Sequence, residues 1–100
     1  MKKIYISGPI SGTEDYMERF ARAEKALNNK HPGCEVVNPA RELADKDFDL
    51  WEEYMGECLK MLCGCDTILM LRNWMWSRGA KIERMVAEQL HMNIIEEVEL

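Results

Sequence analysis

No run of apolar residues in this sequence approaches the roughly 20 needed to cross a bilayer. The five strand-like residues after Met1-Lys2-Lys3 are too few for the core of a secretion signal. A cytoplasmic protein with no membrane partner is therefore expected. Basic residues are also scarce, 13 Lys and Arg against 18 Asp and Glu, for a net charge of −5. Binding along a duplex needs clustered Lys and Arg to neutralise phosphates, so long nucleic acid is not an expected partner. The cysteines have no metal-binding pattern. Cys63-Gly64-Cys65 offers two sulfurs, but no second Cys or His pair stands at zinc-like spacing, and His31 and His91 are distant. Cys34, Cys58, Cys63 and Cys65 read as reduced, small apolar side chains, and neither metal nor cofactor is expected. The sequence also has no Gly-x-Gly-x-x-Gly pattern and no Lys-containing P-loop.

With 100 residues, 47% hydrophobic and 31% charged, the chain suits one domain, 1–100, that buries a core unaided. It shows no repeat, low-complexity segment or linker. Strand and helix signals alternate along it. Lys3 to Ser7 is a β-branched and aromatic run closed by Gly8-Pro9. Glu14 to Asn29 has helical periodicity through Met17, Phe20, Ala21, Ala23 and Leu27, and His31-Pro32-Gly33 ends it. Glu35 to Asn38 reads as a second strand stopped by Pro39, and 39–48 as the longest irregular and most mobile stretch. Asp49 to Gly64 repeats the helical pattern with Trp51, Tyr54, Met55, Cys58, Leu59 and Leu62. Thr67 to Leu71 is the third strand, Ser77 to His91 the third helix and Asn93 to Val98 the fourth strand. Alternation of this kind predicts an α/β fold, a three-layer doubly wound parallel sheet of flavodoxin or Rossmann type in order 2-1-3-4. Its ligand crevice is expected beyond the carboxyl ends of the first and third strands, where the chain order reverses.

Two loops fall at that place. Ser7-Gly8-Pro9-Ile10-Ser11-Gly12-Thr13, with hydroxyls and glycines ahead of a helix, suits a phosphate or sugar hydroxyl, though a plain strand-to-helix turn has the same composition. Asn73 to Glu88 sets Trp74, Trp76, Ser77 and Gly79-Ala80 before the third helix. Ser77 can cap that helix or bind a ligand, and Gly79 lets backbone come close to one. Alternate spacing sends the two tryptophans to different sides, and Trp74, nearer the strand end, is the one expected against a ligand. Glu83 is read as a first-turn carboxylate held charged by free helix N–H groups, one position off the apolar stripe of Ile82, Met85 and Val86.

The segments Ile4-Tyr5-Ile6-Ser7-Gly8-Pro9, Val36-Val37-Asn38-Pro39-Ala40, Cys65-Asp66 and Trp74-x-x-Ser77-x-Gly79-Ala80-x-x-Glu83 occur in this order over nearly the whole chain. Together they resemble the nucleoside 2-deoxyribosyltransferase-like superfamily, and in particular its short bacterial and phage branch of unknown function. The resemblance implies cleavage of an N-glycosidic bond. It makes Glu83 the nucleophile towards the anomeric carbon and Tyr5 the group that orients it. It further implies that Ser77 and the loop of Ser7, Gly8, Pro9, Ser11 and Gly12 hold phosphate and sugar. The partner is then a small nucleotide or nucleoside, with the nucleotide favoured, and no cofactor.

The sequence departs from this pattern at two places. Cys58 stands where relatives carry an aspartate on the second helix, and a thiol is a poor proton donor to a leaving base. Glu57 lies about 100° from the inward face and does not replace it. Arg72-Asn73 stands in place of Pro-Gly, so a different loop shape is expected. Asp66, at a strand entrance away from the pocket, reads as a turn or cap, and Glu96-Glu97-Val98-Glu99 as a solvated strand end. Larger relatives complete their site from a C-terminal extension or a neighbouring subunit, so this chain is expected either to borrow from a partner or to leave the site open. Eight methionines and three tryptophans in so small a domain suit a homo-oligomer, a dimer or larger, which is the expected state. Two functions remain open, an N-glycosidase or transferase and a nucleotide-binding domain of the same fold without turnover.

Overall fold

The computed structural model describes residues 2–100. Strands β1 (Lys3–Ser7), β2 (Glu35–Val37), β3 (Thr67–Met70) and β4 (Asn93–Glu96) alternate with helices α1 (Tyr16–Lys30), α2 (Pro39–Glu42), α3 (Trp51–Cys63) and α4 (Arg78–Gln89). All pairings are parallel and the order is β2-β1-β3-β4, as the alternation predicts. Two short 3-10 turns, Trp74–Trp76 and Glu97–Glu99, complete the chain.

Strand periodicity divides the core between the two faces of the sheet. Ile4 and Ile6 of β1 and Leu69 of β3 face α1, where Phe20, Ala23 and Leu27 cover them. Tyr5, Ile68 and Met70 face the other way, onto Cys58 and Leu62 of α3 and Ala80 and Ala87 of α4. Each fully buried Leu, Ile or Phe contributes roughly 1.5–3 kcal/mol, so both faces are anchored by burial rather than by surface charge. Asp66 ties the amino ends of β1 and β3 together. Its carboxylate accepts from the Lys3 N–H at 2.9 Å and from the Thr67 hydroxyl at 2.7 Å. Those bonds, the Thr67 hydroxyl first, hold its pKa below the ordinary carboxylate value. The expected structural role of this residue has a concrete form here.

Four expectations are corrected. The stretch after β2 opens with a helix turn, because Pro39 starts it and the Asn38 side chain caps it by accepting from the Arg41 N–H at 3.3 Å. Beyond that turn the stretch is irregular, as expected, with Ala44 to Asp47 exposed and only Leu43 buried and Phe48 half-buried, edge-on to Tyr54 at 5.6 Å. The acidic tail is not simply solvated. Strand β4 ends at Glu96, whose carboxylate pairs with Arg84 at 2.8 Å, and Glu97 accepts from the Arg72 N–H at 2.6 Å. The inward face of α4 is Ala80, Glu83 and Ala87, while Met85 is 61% exposed. Two alanines let the helix approach the sheet closely, whereas the larger apolar residues fit better on its outer flank. Glu83 is the sixth residue of α4, past the first turn and out of reach of its free N–H groups.

Candidate active site

Strand β1 sends Tyr5 and Ser7, two residues apart, to the same face, where α4 brings Glu83 against them. The Tyr5 hydroxyl donates to Oε2 of Glu83 at 2.5 Å, and the Ser7 hydroxyl to Oε1 at 2.6 Å. The carboxylate is thus clamped with one donor on each oxygen, and only 6% of the residue is exposed. Burial pushes its pKa up to about 7, against the opposing pull of the Ser7 and Tyr5 hydroxyls. The expected charge-stabilised first-turn acid is therefore a buried acid poised near neutrality. Burial, followed by the negative charge of Glu83, also raises Tyr5 well above its ordinary value, so Tyr5 is a fixed proton donor to the carboxylate.

Above this carboxylate lies a cavity of about 190 Å³ at the carboxyl end of β1, beside the start of α4. It occupies the crevice expected from the strand order. Gly8, Ser11, Cys58, Ser77, Gly79, Tyr5 and Glu83 line it, so most of the expected site residues converge. Pro9 and Gly12 do not line it, because the loop turns back on itself: Thr13 N–H bonds to the Ile10 carbonyl at 3.2 Å, and Gly12 takes a φ of 76°. Helix α1 starts only at Tyr16, so its free N–H groups do not follow directly on this loop. Ser7 belongs to Glu83 rather than to the open cavity, being 1% exposed. Ser77 caps α4 through the Ala80 N–H at 3.2 Å and also reaches the cavity wall.

Trp76, rather than Trp74, lines the cavity. The cause is local: Asn73 takes the left-handed conformation at φ 67°, and the chain then winds into the 3-10 turn. Asparagine tolerates that conformation, so the loop turns sharply even with Arg72-Asn73 in it. Trp74 is turned down beneath Arg84, whose guanidinium lies 4.5 Å from the ring centroid, and packs on the α3/α4 core. Trp76 is left 81% exposed at the rim.

Cys58 stands in the wall beside Tyr5 and Tyr54, and burial pushes its thiol up to about 11, with the Glu83 charge adding to the shift. It keeps its proton at neutral pH. Glu57 points elsewhere and pairs with Lys60 at 3.2 Å. The wall residues that sequence reasoning did not assign to a ligand are chiefly Trp51, Tyr54, Trp76 and Arg78. Trp51 and Tyr54 share the inward side of α3 with Cys58, a usable signal, but helical phase alone does not separate pocket wall from core.

A model of the family described as a domain of unknown function, DUF4406, matches residues 2–96, and the chain belongs to that family. No curated protein matches it. Among solved structures, a 2-deoxyribosyltransferase from Bacillus psychrosaccharolyticus is similar with a TM-score of 0.73 and 18% identity, over 94% of this chain and 70% of the other. A 2-deoxyribosyltransferase from Leishmania mexicana gives a TM-score of 0.67 and 22% identity, over 96% of this chain and 63% of its own. The chain thus shares the fold of these enzymes and spans under two thirds of the second one's length.

Proposed function

We propose that this member of the DUF4406 family cleaves the N-glycosidic bond of a 2-deoxynucleoside 5′-monophosphate or a deoxynucleoside, with Glu83 as nucleophile. The observation that carries the reading is the clamped, buried carboxylate at the base of the cavity. Each Glu83 oxygen accepts one hydrogen bond and keeps a further lone pair free. In its ionised form one oxygen attacks C1′ of the sugar, the C1′–N bond breaks, and the base departs with the bonding electrons. Water or a second base then attacks C1′ from the opposite side and releases the carboxylate, so configuration is retained. Tyr5 and Ser7 orient the carboxylate and limit its rotation. The departing base is protonated by solvent that enters the cavity, because helix α3 places a protonated thiol at Cys58, and no carboxylic acid, beside the leaving group.

The same thiol favours a second reading, a domain that binds a nucleotide without turning it over. Base release or base exchange, followed chromatographically with each deoxynucleoside monophosphate and nucleoside, separates the two. The enzyme reading expects release that disappears in Glu83→Ala. Full activity retained in that variant would refute the mechanism, and saturable binding with no release would support the second reading.

A further inference from the structure

Among the described residues, the cavity wall carries a single cation. Among the described residues that line it, Arg78 is the only Lys or Arg and Glu83 the only carboxylate. Arg78 opens α4 and Trp51 opens α3, and the Arg78 guanidinium carbon lies 3.8 Å from the centroid of the Trp51 ring. Stacking of this kind fixes the plane of the guanidinium while leaving the N–H donors at its edge free. Among the described residues no carboxylate forms an ion pair with Arg78, although acids outnumber bases in the chain. Glu83 does not serve as its partner either: the Glu83 pKa is raised by burial and opposed only by two hydroxyls, with no cation contributing. The wall therefore holds an unneutralised guanidinium and a separate buried carboxylate.

We propose that Arg78 is the specificity-determining residue that takes the 5′-phosphate of the substrate, so that a deoxynucleoside monophosphate is selected over the free nucleoside. A guanidinium seated over an indole keeps edge N–H donors that two phosphate oxygens can accept from. The sugar then spans from Arg78 to Glu83, with the phosphate at one and C1′ at the other. The position of C1′ rests on the glycosidic reading above, whereas the phosphate contact does not. Lysine at this position would keep the charge and lose the stacked fork.

The test compares the wild type, Arg78→Gln and Arg78→Lys, each with a deoxynucleoside monophosphate and its nucleoside. Losing charge-assisted hydrogen bonds should lower the monophosphate-to-nucleoside ratio of kcat/KM about 10- to 100-fold in Arg78→Gln. Arg78→Lys should fall between that variant and the wild type. An unchanged ratio, with both substrates affected equally or not at all, would overturn the assignment. If the wild type turns over neither substrate, equilibrium dialysis of the same pairs gives the ratio of Kd values. A fall in that ratio would sustain the role of Arg78 while the glycosidic reading fails. No saturable binding of the monophosphate by the wild type would refute the role of Arg78.

Discussion

The chemistry of the site turns on one carboxylate whose surroundings work against its charge. Glu83 has its pKa raised to about 7 by burial, so the ionised form, which the proposed mechanism requires, fills only as pH passes through neutrality. The pH profile of kcat/KM should accordingly rise through about 7, and a profile already flat from pH 5 would remove the buried acid from the account. The same shift bears on stability. A carboxyl whose folded pKa lies above its ordinary value of 4.5 stabilises the fold below that pH, and this contribution is lost as pH rises towards 7. Wild type should lose up to roughly 3 kcal/mol relative to Glu83→Gln between pH 4 and 8, measurable as the change in urea midpoints.

Cys58 supplies the second prediction at this scale. Cys58→Asp places a carboxyl where the leaving base can draw on its proton, so turnover should rise. It also sets two carboxyls close together, which should push the rising limb of the pH profile above 7 and lower stability by about 1–3 kcal/mol. Rate profiles and denaturation of the variant check both effects. The pairing of Tyr5 with Glu83 was legible through the pattern the sequence resembles. The protonation state of Glu83 was not, because it depends on α4 starting at Arg78 and on two alanines drawing the helix against β1, a matter of packing rather than periodicity.

At the scale of elements, the site exists because the β1 loop, the end of β3 and the start of α4 meet closely. Gly8 marks the tightest approach: a Cβ there would stand 2.7 Å from the Leu71 Cβ. Both neighbours are buried and backbone-fixed, so Gly8→Ala should destabilise by about 1–3 kcal/mol and weaken substrate binding. Denaturant titration and KM read the two effects, and a variant of wild-type stability would mean that the loop has room to shift. The four strands and three longer helices were readable from alternating patterns and Gly/Pro punctuation. Helix α2 was hidden because four residues give no periodicity, and only Asn38-Pro39, a cap followed by a proline, signalled it. The exchange of Trp74 for Trp76 was unreadable for a related reason. Alternation reasoning treats the loop as extended, whereas Asn73 and the 3-10 turn rotate it.

For the molecule as a whole, strand order 2-1-3-4 follows from β-α-β alternation and right-handed crossovers, and it alone locates the crevice. Association is a separate matter. Trp76 at the cavity rim is 81% exposed, and Leu50 and Val98 are 55% and 69% exposed. We propose that these side chains pack between copies of the chain, in which case light scattering should give the mass of at least two chains. A fully active single chain would instead mean that the cavity needs no neighbour.

The most direct test of Glu83 as nucleophile is the intact mass of the protein after incubation with a deoxynucleoside monophosphate bearing fluorine at C2′. Fluorine disfavours the oxocarbenium-like transition states and slows release of any glycosyl-enzyme. The account predicts base release together with a mass gain of one fluorinated sugar phosphate, mapped to Glu83 and absent from Glu83→Gln. Base release with no adduct on Glu83, or an adduct on another residue, would contradict it.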